Sequence, residues 1–96
     1  MATKLIGLIK LVDAAAFDEY RSKVGVTVEK YGGVITDRRT LVHSYWNELN
    51  CGAFDAFVEL EFPTLADASR WAASADYRQL LEVRKQAMQL TLFALH

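Results

Sequence analysis

The sequence predicts a single α+β domain built from two successive strand–helix–strand units. Three observations predict it. Leu5–Val12 and Leu90–Leu95 lie near the two ends of the chain and are apolar at both alternations, as strands buried on both faces are. Phe17, Tyr20, Val24, Val28 and Tyr31 recur at steps of three or four, one face of an amphipathic helix. The stretch FVELEFPTLADASRWAASADYRQLLEVR, from Phe57 to Arg84, encodes a strand, a stop at Pro63 and two capped helices. With 96 residues, residues 1–96 read as one domain.

Each element has its own signals. Asp13 is placed to cap the first helix, and Gly32-Gly33 supplies a residue that tolerates the left-handed conformation at its end. Val34 to Trp46 is rich in β-branched and aromatic residues and reads as a long second strand. Asn47 to Ala53 has turn composition. Phe54 to Phe62 alternates, with Phe54, Ala56, Val58, Leu60 and Phe62 on one face and Asp55, Phe57, Glu59 and Glu61 on the other. The short connection predicts a hairpin. Thr64-x-x-Asp67 is a capping-box pattern ahead of the stripe Leu65, Ala68, Ala72 and Ala75. Ser74 or Asp76 can cap the next helix, with Tyr77, Leu80, Leu81, Arg84, Ala87 and Met88 inward.

This βαββαβ order is that of the ferredoxin-like plait, an antiparallel four-stranded sheet with helices on one face. The first and last strands are apolar on both faces, so the uncovered face needs a cover. The simplest is the same face of a second copy, which predicts a homodimer joined through its sheet faces.

Composition excludes several classes. Hydrophobic residues make up 52% of the chain, which excludes disorder. Eleven basic residues balance twelve acidic ones, so no net field draws nucleic acid or an anionic membrane. The one cysteine, Cys51, cannot form an internal disulfide and suits a reducing, cytoplasmic setting. No Cys or His pair stands at metal-ligand spacing, so neither a metal nor another cofactor is expected. Lys4 with the run LIGLIKLV and Ala14-Ala15-Ala16 loosely imitates a signal peptide. Lys10 interrupts that run and Asp13 abuts the would-be cleavage site, and the segment reads as the first strand.

The chain also resembles a known family. The segments Phe17-Asp18-Glu19-Tyr20, Lys30-Tyr31-Gly32-Gly33, Phe62-Pro63-Thr64-Leu65 with Ala68, and Ser74-Ala75-Asp76-Tyr77 followed by Arg84 resemble the bacterial domain-of-unknown-function family thirteen-thirty. That family lies in the dimeric α/β-barrel superfamily. The resemblance spans nearly the whole chain. It implies a homodimer of ferredoxin-like plaits and no particular reaction. Where family members place an arginine and then a glycine turn, this chain has Arg38-Arg39-Thr40. The resemblance implies a ligand-binding role for Arg38.

Arg84 is the leading site candidate, because an arginine within an apolar stripe must meet a carboxylate, line a pocket or bind an anion. Glu59 or Glu61 could be its ion-pair partner, or either could shuttle a proton if desolvated. His43, on a strand with Arg39 by parity and Tyr45 beyond, is a candidate for acid–base work or for ligating haem; a surface or interface role is the plainer reading. Arg38 and Trp46 share the other parity. Tyr20, Tyr31, Trp71 and Tyr77 suit a ligand pocket between helices and sheet, with ordinary packing as the alternative. The predicted function is binding or cofactor-free transformation of a small anionic or aromatic metabolite. A non-catalytic dimeric binding or regulatory module is the alternative, and haem binding a lesser one.

Overall fold

The structure, a computed structural model, describes residues 2–96. Its elements run β1 (Thr3–Leu11), α1 (Ala14–Lys30), β2 (Val34–Thr40), β3 (Ala56–Phe62), α2 (Leu65–Ala72), α3 (Ala75–Arg78), α4 (Leu81–Ala87) and β4 (Met88–Leu95). The sheet order is β2-β3-β1-β4, and every neighbouring pair is antiparallel. This is the ferredoxin-like plait. The helices cover one face, and the core of Leu5, Ile9, Tyr20, Val24, Val28, Leu60, Phe62, Trp71 and Tyr77 lies between them and the sheet.

The caps are where the sequence places them. Asp13 accepts from the Ala16 amide at 3.1 Å, Thr64 from that of Asp67 at 3.1 Å, and Ser74 from that of Tyr77 at 3.1 Å. Between the two, it is Ser74 rather than Asp76 that caps α3. Asp76 instead binds Lys30 and Tyr31, tying α3 to the end of α1.

The helix expected after Ser74 is broken into α3 and α4, and Met88 opens β4, which was expected from Leu90. Two further elements depart from expectation. Strand β2 ends at Thr40, not Trp46, and β3 begins at Ala56, not Phe54. The last backbone bond between these arms runs from the Leu41 amide to the Asp55 carbonyl. Asp55 is otherwise committed to β1. Its amide donates to the Ile9 carbonyl at 2.7 Å and its carboxylate accepts from the Leu11 amide at 2.8 Å. The residues after Leu41 therefore have no facing strand, and propensity alone does not hold them in a sheet. They form an exposed loop, in which Asn47 brackets Cys51 through two hydrogen bonds. The second departure is in α2. The inward residues are Ala68 and Trp71, while Leu65, Ala72 and Ala75 are exposed. The large indole outcompetes the small residues for the buried side, and its N–H reaches Thr27 Oγ1 at 3.0 Å.

Strand β2 also carries a bulge. Its register shifts between Ile35 and Asp37. Without it, Arg38 would share a face with Val34 and Thr36. With it, Ile35, Arg38 and Thr40 stand opposite Leu60, Val58 and Ala56, on the helix side of the sheet. Val34, Asp37 and Arg39 stand opposite Glu61, Glu59 and Phe57, on the outer side.

The Gly32-Gly33 pair ends α1 as expected, with Gly32 at φ +83°. Gly33 has a steric duty as well. A Cβ there would lie 2.5 Å from the ring of Phe62, which is fully buried and stacked against Trp71. Gly33→Ala should therefore destabilise the chain by about 1–3 kcal/mol, the usual cost of overpacking a tight core. Chemical denaturation checks this, and an unchanged midpoint would mean that the Phe62 ring can retreat.

Candidate functional site

A cavity of about 470 Å³ opens on the helix side of the sheet, between the first turns of α1 and the strands beneath. The volume is in the range of small-molecule pockets. Phe17, Tyr20 and Val24 of α1, Ile35 of β2, Val58 and Leu60 of β3, and Leu90 and Leu92 of β4 supply its apolar walls, with Trp71 and Tyr77 from the helix pair. Its charged lining residues are Arg21, Arg38 and Arg39, with no carboxylate among them. Arg39 borders the cavity only from the strand, since by register its side chain stands on the outer face, where Asp37 engages it at 2.9 Å. Arg38 makes no ion pair or side-chain hydrogen bond among the described residues. The bulge in β2 is what carries Arg38 to this side.

Behind the aromatic wall lies a polar chain. Arg84 donates from Nη1 to the Tyr77 hydroxyl at 3.0 Å, and its guanidinium carbon stands 5.7 Å from the Tyr77 ring centre. The Tyr77 and Tyr20 hydroxyls are 2.8 Å apart. Both tyrosines are buried, at 4% and 8% exposure. Burial, reinforced by the adjoining Tyr77, holds the Tyr20 phenol well above the ordinary tyrosine range, so it stays a neutral phenol at physiological pH.

The expected partnership of Arg84 with Glu59 or Glu61 is not formed. Both glutamates lie on the outer face of the sheet, opposite the helices. Glu59 accepts from Thr36 Oγ1 at 2.7 Å and from Lys4 Nζ at 3.4 Å. These contacts, Thr36 first, hold its carboxyl below the usual range. The Lys30 ammonium does the same for Asp76. Lowered carboxyl values mean that the stability from these contacts is present above the ordinary carboxyl range and is lost as pH falls through the folded-state values. Both sites are solvent-exposed, and salt weakens them further.

Of the other candidates, Arg38, Trp71 and Tyr77 meet at the cavity, whereas Arg84 touches Tyr77 and does not line it. Tyr31 stands at the far end of α1, donating to Asp76 at 3.1 Å, and is a clamp between helices. His43 lies in the exposed loop with its ring edge-on to Tyr45, away from the cavity. Glu59 and Glu61 do not line it either. Sequence reading missed Arg21 and Ile35. Arg21 follows Tyr20 on the border of the helical stripe, with its guanidinium over the Phe17 ring at 5.6 Å, and a stripe-edge arginine beside two aromatics was a usable signal. Ile35 was hidden by the bulge. No group of three or more His, Cys, Asp or Glu that could hold a metal occurs among the described residues. No helix among them is long and apolar enough to cross a membrane.

A family model described as domain of unknown function (DUF1330) matches residues 5–96. The chain belongs to this family. No curated protein matches it by sequence. Among solved structures it is similar to a protein of unknown function from Rhodopseudomonas palustris, at 18% identity and a TM-score of 0.81, covering 98% of this chain and 80% of that one. A dimeric ferredoxin-like protein of unknown function from Jannaschia sp. CCS1 aligns at 10% identity and TM-score 0.68, covering 100% and 99% of the two chains. SnoaB, a cofactor-independent oxygenase from Streptomyces nogalater, aligns at 8% identity and TM-score 0.70, covering 99% and 91%. At these identities the likeness is one of fold.

The placement of Arg84 generates a prediction. Arg84→Met and Tyr77→Phe share one hydrogen bond, so their effects on unfolding free energy should be coupled. Arg84→Met and Glu59→Gln share no partner and should be additive. Double-mutant cycles from denaturant melts measure both. Coupling of Arg84 to Glu59 would contradict the side-chain placement described above.

Proposed function

We propose that this member of the family binds a small aromatic or anionic metabolite in the cavity between α1 and the sheet, acts on it without a cofactor, and works as a homodimer in the cytoplasm. The observation that carries the reading is the lining itself: apolar and aromatic walls whose charged members are arginines alone among the described residues. An apolar ring gains by leaving water there, and an anionic substituent gains a guanidinium at Arg38 that no protein carboxylate neutralises. The cofactor-independent oxygenase of the same fold supports the chemistry by analogy only.

The dimer reading rests on the outer face of the sheet. Ile6 stands opposite Phe93 and Leu8 opposite Phe57, and Phe93 and Leu95 are 42% and 52% exposed. This apolar band needs a cover, and the related chain from Jannaschia is described as dimeric. The alternative of a binding or regulatory module draws support from the loop after β2, where Val42, Trp46 and Leu49 are 92%, 82% and 91% exposed. Haem binding has less support, since His43 does not line the cavity; the absorbance spectrum of the purified protein tests it.

Two outcomes are expected. Benzoate and 2-naphthoate should raise the melting temperature, with about 2.7 kcal/mol of added stability at a hundred times the dissociation constant. Arg38→Ala should weaken that binding without lowering the melting temperature of the free protein. No shift with either acid would favour the binding-module reading. Separately, sedimentation at micromolar concentration should give twice the chain mass, from an interface of about 1,200–2,000 Å². Phe93→Glu should yield monomers. A wild-type monomer would refute the sheet-to-sheet dimer.

A further inference from the structure

The two buried phenols contain one hydrogen more than the protein uses. Tyr20 and Tyr77 each carry one hydroxyl proton, and their mutual contact at 2.8 Å consumes one of them. Arg84 supplies a proton to the Tyr77 oxygen and takes none, because a guanidinium only donates. The remaining phenolic hydrogen has no acceptor among the described residues. Leaving a buried donor unmatched is costly, so such a hydrogen calls for a partner from outside the chain. Both tyrosines line the cavity, so the partner can be a molecule within it.

The direction of the chain follows from the cation at its end. Donation from Arg84 withdraws electron density from the Tyr77 oxygen. That makes Tyr77 a poorer second acceptor and a better donor. The favoured order is therefore Arg84 to Tyr77, Tyr77 to Tyr20, and Tyr20 to the ligand. The high pKa that burial gives Tyr20 keeps its proton in place for this duty and excludes it as a base at neutral pH.

We propose that Tyr20 donates a hydrogen bond to the hydroxyl oxygen of a bound phenol or enol, stabilising its anionic form, with Tyr77 and Arg84 as positioning residues. This deepens the cavity reading above and rests on it. A single donor suits a single conjugated oxygen. A carboxylate asks for two parallel donors, which the Arg38 guanidinium could present and Tyr20 cannot. The proton that the ligand loses goes to solvent, and Tyr20 keeps its own.

The test uses 4-nitrophenol, whose anion absorbs in the visible, and 4-nitroanisole, which has no ionisable oxygen. On the wild-type protein, bound 4-nitrophenol should titrate at lower pH than the free compound. Tyr20→Phe should weaken the bound anion by roughly tenfold to a hundredfold, the usual loss for a hydrogen bond to a charged group, and return its titration toward that of free 4-nitrophenol. Binding of 4-nitroanisole should be unchanged in Tyr20→Phe. Tyr77→Phe and Arg84→Met should give smaller shifts in the same direction, because they leave the Tyr20 hydroxyl present but unaligned. Circular dichroism establishes that each variant is folded; if Tyr20→Phe is not, the titration shifts of Tyr77→Phe and Arg84→Met decide. An unchanged titration in Tyr20→Phe with 4-nitroanisole still bound would overturn the donor role and leave the cavity reading intact, and an unchanged titration in both of the other variants would overturn the positioning roles of Tyr77 and Arg84. A loss confined to Tyr77→Phe would overturn it too, making Tyr77 the terminal donor. Binding of neither compound to the wild type would overturn the cavity reading, and the donor role with it.

Discussion

A run of four aromatic rings holds the helical layer to the sheet. Phe62 of β3 meets Trp71 of α2 with ring centres 5.6 Å apart, Trp71 meets Tyr77 of α3 at 4.6 Å, and Tyr77 meets Tyr20 of α1 at 6.4 Å in an edge-on contact. Arg84 of α4 closes the run against Tyr77. Five elements are thus joined through one stack. Each ring buries a large apolar area, and edge-on or tilted pairs add roughly 0.5–1.5 kcal/mol beyond it. The short helices α2, α3 and α4 have too few residues to be stable alone, so this packing is what gives them their shape.

The stack also explains why the cavity lies where it does. Its rings close the space beneath α2 and α3, and the Tyr20–Tyr77 end of the run forms the back wall of the opening under α1. The front is set by β2. One extra residue in that strand turns Arg38 toward the opening and leaves Asp37 and Arg39 to neutralise each other on the outer face. A structural device that ties the fold together on one side therefore meets a local irregularity on the other, and the space between them has walls of one sign of charge. Bulges commonly re-aim a side chain beside a functional site.

Much of this fold was legible from periodicity and punctuation. The α1 stripe, Pro63, and the caps at Asp13, Thr64 and Ser74 are local signals, each with a chemistry that acts within a few residues. The failures were non-local. Propensity extended β2 to Trp46, but a strand needs a partner, and Asp55 had been taken by β1. Parity placed Arg38 with Trp46, but Trp46 lies beyond the strand, and the face that Arg38 takes is set by a bulge just before it that no residue type announces. Arg84 was rightly singled out as an arginine that needs a partner. Its partner was sought among carboxylates, on a strand whose glutamates point away from the helices. The aromatic residue seven positions earlier, two turns back on the same chain, was the nearer answer.

That answer bears on what kind of residue Arg84 is. A guanidinium satisfied by a carboxylate forms a neutral pair and has little field left to act on a ligand. A guanidinium satisfied by a phenol keeps its charge. The Tyr77 oxygen accepts one hydrogen bond and its ring lies 5.7 Å from the guanidinium carbon, yet neither contributes a compensating negative charge. Arg84 is only partly buried, so water can reach it and limit the desolvation cost. Its positive potential reaches the hydroxyl pair beside the cavity, where burial reduces screening. An arginine placed this way costs the fold little and leaves the cavity biased toward negative oxygen, which a Glu59 or Glu61 partner would have cancelled.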